Sequence, residues 1–120
     1  MATGRLRTDT APLQPLIPVL RGDEPSKWVI CDDSDDGLPG LVSTWIHALV
    51  TVDLVFAKEL ASYTDTFVRL PTDLPVILGV DRALAWRTGS SLVGGLGISM
   101  SPTFAALAGR TLYVRRFVTR

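Results

Sequence analysis

Trp45-Ile46-His47-Ala48-Leu49-Val50-Thr51-Val52-Asp53-Leu54-Val55-Phe56-Ala57 decides the fold, because it satisfies two periods at once. At a period of two, Ile46, Ala48, Val50, Val52, Leu54 and Phe56 are apolar while His47, Thr51 and Asp53 fall on the other side, as in a long half-buried strand. At spacings of three and four, Leu41, Trp45, Leu49, Val52, Phe56 and Leu60 make a helical stripe opposite Ser43, His47, Thr51 and Lys58. Valine, isoleucine and threonine lose rotamer freedom in a helix and pack well on a pleated surface, and Asp53 sits badly near the apolar face of a helix. The stretch therefore reads as a strand over 44–56, with Ile46, Val50, Val52, Leu54 and Phe56 in the core, continuing into a helical turn from Lys58 to Tyr63. Its length is the counter-argument, since strands usually run to five or six residues.

Downstream, short apolar runs alternate with turn signals: Phe67 to Leu70, Pro71 to Pro75, Val76 to Val80, and Ala83 to Arg87 before Thr88-Gly89-Ser90. Such spacing predicts a meander of short antiparallel strands. Leu92 to Met100 reads as a further strand, bent where Gly94, Gly95 and Gly97 interrupt it. The Gly94-Gly95-Leu96-Gly97 run fits neither phosphate-binding glycine pattern. Ser101-Pro102-Thr103 predicts a short helix to Ala108, capped by serine and stopped by Gly109. Thr111 to Thr119 alternates as Leu112, Val114, Arg116, Val118 against Tyr113, Arg115, Phe117. It reads as a strand at a sheet edge or subunit boundary, where arginines guard against uncontrolled pairing.

Upstream, residues 1–26 read as an extended proline-rich arm and 27–120 as one β-rich globular domain. Pro12, Pro15 and Pro18 recur at every third position, fixing φ and removing backbone donors. Leu13, Leu16, Ile17 and Val19 are too apolar for a solvated linker. They lie either across the chain's own domain or on a neighbouring subunit, and they are the first set of partner-contact candidates. Arg21-Gly22-Asp23 followed by Glu24-Pro25-Ser26 is a turn signal. Lys27 to Cys31 reads as a strand. It leads into Asp32-Asp33-Ser34-Asp35-Asp36-Gly37, which opens like a calcium loop but has Ser43 where the bidentate glutamate belongs, so no metal is assigned.

Charge is divided along the chain. Residues 1–81 carry six basic against twelve acidic groups, and the last 39 residues carry six arginines and no acid. That polarity suits a molecule that meets copies of itself or an anionic partner through one face. Arg110, Arg115, Arg116 and Arg120, interleaved with Tyr113 and Phe117, complete the partner-contact candidates. They also support an alternative, an anion or nucleic-acid binding module, although the sequence pI of about 6.5 is low for one. Ten arginines against two lysines suit bidentate pairing with carboxylates, so protein interfaces explain the bias as well.

One cysteine, Cys31, excludes an intramolecular disulfide framework and points to folding in a reducing, cytoplasmic setting. Its apolar neighbours make it a buried structural thiol. Met1 to Arg7 lacks the apolar run of a secretion signal, and Leu41 to Ala57 is too often interrupted by polar residues to cross a membrane. The lone histidine, His47, lies in no nucleophile-elbow pattern, so a small enzyme centred on it is the remoter alternative. No catalytic residue and no cofactor is assigned.

The sequence thus predicts a mainly β or α+β chain, an antiparallel sandwich or barrel with an extended N-terminal arm and one or two short helices. Its expected role is that of a non-enzymatic subunit of a larger symmetric assembly. The concrete form is a virion or phage accessory protein, such as a capsid decoration or head-tail joining subunit, meeting copies of itself and other subunits.

Overall fold

The decisive stretch is a strand and a helix in succession. In the computed structural model, which describes residues 2–34, 42–72, 74–98 and 103–118, the strand spans Val42–Thr51 and the helix Leu54–Ala61. Asp53 makes the break. Its carboxylate accepts a hydrogen bond of 2.7 Å from the Phe56 N–H, which caps the helix start. The expected strand over 44–56 therefore ends earlier. Ile46, Val50 and Val52 are buried as expected, but Leu54 is exposed and Phe56 only partly covered, because both belong to the helix.

In chain order the strands are β1 (Ala2–Thr3), β2 (Ser26–Ser34), β3 (Val42–Thr51), β4 (Thr66–Phe67), β5 (Arg87–Thr88), β6 (Thr103–Ala108) and β7 (Thr111–Val118). The helices are α1 (Leu54–Ala61) and α2 (Leu92–Gly95). Among the described residues all seven strands join one antiparallel sheet in the order β1-β2-β3-β7-β6-β5-β4. The protein is mainly β, as the sequence predicts. Among the described residues the sheet is open, with β1 and β4 as its edges, and no closure into a barrel is found.

Two elements differ from the sequence reading for one reason, burial on both sides of the sheet. Thr103–Ala108, read as a helix, is the strand β6, whose Ala105 and Leu107 pack on one face and Ala106 and Ala108 on the other. Gly109, read as a helix stop, has φ +59° and instead turns β6 into β7. And β7, expected at an edge, lies between β3 and β6 at the centre of the sheet.

Other expected strands also take different forms. Leu92 to Met100 begins as the single helical turn of α2, ended by Gly97 at φ +78°. Val76 to Val80 begins with a 3₁₀ turn, Val76–Leu78, closed by Gly79 at φ +67°. Phe67 to Leu70 and Ala83 to Arg87 keep only the short pairings of β4 and β5.

Each face of the sheet has its own apolar layer, because successive strand residues point to opposite sides. On one face Trp28, Ile46, Ala48, Val50, Leu112 and Val114 pack beneath α1, α2 and the N-terminal segment. On the other, Val29, Cys31, Ala106 and Tyr113 pack beneath a lobe contributing Leu70, Leu74, Leu78 and Trp86. The N-terminal segment is not a plain extended arm. It holds a 3₁₀ turn, Ala11–Leu13, and buries Leu13, Ile17 and Leu20 in the first layer. Each such side chain contributes roughly 1.5–3 kcal/mol by leaving water.

Polar ties fix the segment in register. Thr10 Oγ1 lies 2.6 Å from Ser26 Oγ, Trp28 Nε1 donates to the Asp9 carbonyl at 2.7 Å, and Gln14 Nε2 donates to the Arg21 carbonyl at 2.6 Å.

Candidate functional site

Two of the C-terminal arginines of the sequence reading, Arg115 and Arg116, do not share one surface. Arg115 and Arg116 are consecutive on β7 and so project to opposite faces. Arg115 lies 5.3 Å over the ring of Trp45, which in turn meets Phe117 edge-on at 5.2 Å. Arg116 reaches through the other face and donates to the Leu16 carbonyl, tying the N-terminal segment down. Arg110, in the β6–β7 turn, donates through Nε to the Val52 carbonyl at 2.8 Å. Arg120 lies outside the described residues. Of the apolar candidates, Leu13 and Ile17 are buried in the chain's own core, and Leu16 and Val19 are partly buried against it.

Arg110 also borders an open cleft of about 200 Å³ with Arg21, Asp23, Glu24, Asp53 and Phe56 among its walls. Arg21, Glu24 and Asp53 are committed to local geometry. Arg21 Nη2 donates to Asp53 Oδ2 at 2.8 Å, while the other Asp53 oxygen caps α1. Glu24 accepts from the backbone N–H of Arg21 at 2.9 Å and of Gly22 at 2.8 Å, closing the turn in which Gly22 has φ +104°. Partial burial pushes the Glu24 carboxyl up, but donation from these N–H groups outweighs it and holds the group below its usual value.

His47 is buried, with Nδ1 2.9 Å from the Tyr113 hydroxyl, a pairing that satisfies two polar groups inside the second layer. Cys31 is buried in the same layer. Among the described residues no group of three histidine, cysteine, aspartate or glutamate side chains is placed to hold a metal ion. Asp35 and Asp36 of the calcium-loop resemblance lie outside the described residues. Among the described residues no helix is long and apolar enough to cross a membrane.

What sequence reasoning missed is the outer surface of the lobe over 67–87. Val76 is 95% exposed and Phe67 68% exposed, and Ile77 and Leu84 are also open to solvent. Two adjoining grooves, one lined by Val76 and the other by Phe67 and Leu84, share Thr72 and Arg82 in their walls. Arg69 and Arg82 are the charged residues lining them among those described, and Arg87 stacks 5.1 Å over the Phe67 ring. The signal was present in Val76-Ile77-Leu78. A one-turn helix with its back to the sheet can bury only one of three consecutive residues, and it buries Leu78.

A second apolar surface lies on α1, where Val55 is 79% exposed beside Leu54. This helix buries Ala57 and Leu60 in the opposite layer from the lobe, so the two surfaces sit on opposite faces of the sheet. Comparison with protein-family models, with curated proteins and with solved structures gave no match.

Proposed function

We propose that the chain is a non-enzymatic subunit of a larger symmetric assembly, the role that a capsid decoration or head-tail joining subunit fills in a virion. One observation carries this reading: the lobe presents Phe67, Val76, Ile77 and Leu84 to solvent around grooves walled by arginines. Scattered exposed apolar residues are ordinary, but grouped ones rimmed by charge mark association surfaces. The N-terminal half adds a surplus of carboxylates, and the exposed arginines of the lobe give them a counterpart.

The anion-binding alternative drew on Arg110, Arg115, Arg116 and Arg120 acting together. It gains less support, because Arg115 and Arg116 lie on opposite faces and Arg116 is engaged with the Leu16 carbonyl.

Hydroxyl-radical labelling across a dilution series tests the proposal. Labelling of Phe67 and Leu84 should fall as the protein is concentrated, measured against an added reporter peptide that does not bind the protein. Equal labelling of the lobe at every concentration would count against it.

A further inference from the structure

We infer that copies of this chain associate head to tail, the exposed side of α1 on one copy seating against the arginine-walled groove of the lobe on the next. The inference rests on the assembly reading and adds to it the identity of the two surfaces. The occupant of the groove has to supply apolar side chains for Phe67 and Leu84 and a carboxylate for the arginines. The α1 face supplies both. Leu54 and Val55 are exposed on its first turn, and Lys58 and Glu59 follow one turn later on the same side, each four residues on from its apolar neighbour.

Signs agree pairwise as well. Adjacent Lys58 and Glu59 are both exposed on α1, and adjacent Asp81 and Arg82 are both exposed on the lobe. Glu59 meets Arg82 as Lys58 meets Asp81. A contact of this kind sets orientation through its charges and draws affinity from the apolar centre.

Topology dictates the mode. Because α1 and the lobe cover opposite faces of one sheet, a copy cannot satisfy its own groove with its own helix. A pair of copies therefore keeps one surface of each kind free after one contact. Repetition of such a heterologous contact gives a ring when the rotation closes and a filament when it does not.

Light scattering on size-fractionated protein tests this with Val55→Asp and Leu84→Asp, both exposed positions whose variants are checked for a cooperative thermal melt. Each variant alone should be a monomer, since one of its two surfaces is spoiled. An equal mixture should form pairs containing one copy of each and nothing larger, because one intact helix and one intact groove remain. If the parent assembles and Val55→Asp assembles just as well, or if the mixture stays monomeric, the head-to-tail contact is wrong while the assembly reading stands. A parent that is monomeric throughout overturns both. Glu59→Arg and Arg82→Glu give a second route: each weakens assembly alone, and their mixture restores it in alternating copies, one contact keeping the parent Glu59–Arg82 pair and the next carrying it with the charges exchanged.

Discussion

Asp53 does two jobs with one carboxylate, capping α1 through the Phe56 N–H and holding Arg21 of the N-terminal turn. Asp53→Ala should cost about 1–2 kcal/mol, mostly the lost cap with a small share from an exposed ion pair. Asp53→Asn keeps a competent cap and should lose less than about 1 kcal/mol. Urea unfolding of the two variants separates the contributions, and equal losses would assign the whole effect to the ion pair. Glu24, across the same cleft, makes a prediction about pH. Its carboxyl is held below the usual 4.5 in the folded chain, so its contribution is present above about pH 4.5 and is lost as pH falls through the lower folded value. Glu24→Gln should therefore melt earlier than the parent near neutrality, and the gap should close in acid. A gap that is constant from pH 7 to pH 3 would contradict this.

At the scale of elements, burial in two layers explains what was readable in the sequence. Strands β2 and β3 were legible, because the runs at Lys27 to Cys31 and from Trp45 carry strong alternation or β-branched residues. β6 was not, since Thr-Phe-Ala-Ala-Leu-Ala is covered on both faces, shows no alternation, and reads as a helix by propensity alone. The β3–α1 junction was hidden for a different reason: a cap residue inside a continuous apolar run looks like a polar interruption until its N–H partner is known. The N-terminal prolines read as extension, yet the segment turns instead, its conformation set by Leu13, Ile17 and Leu20 entering the core. Leu13→Ala should then cost about 2–5 kcal/mol in unfolding free energy. A loss below 1 kcal/mol, paired with impaired association, would show that this segment serves a neighbour instead of its own sheet.

At the scale of the molecule, the partner candidates drawn from sequence and the exposed surfaces found in the structure are different residues. Charge in the last 39 residues pointed to Arg110, Arg115 and Arg116, but the pairing of β7 with β3 and β6 places two of them within the sheet's own layers. Exposed surfaces were hard to foresee because they depend on which side of a short turn faces inward. The apolar lobe and the exposed side of α1 are the features a subunit would use, and their rims carry charges whose exposed pairs contribute only about 0–1 kcal/mol each. Salt should consequently weaken association modestly without abolishing it. The most direct measurement is the mass of the unmodified protein by sedimentation equilibrium over a wide concentration range. The expected result is a multiple of the 13.0 kDa chain that grows or saturates with concentration. A single 13.0 kDa species at every concentration and at low salt would contradict the account.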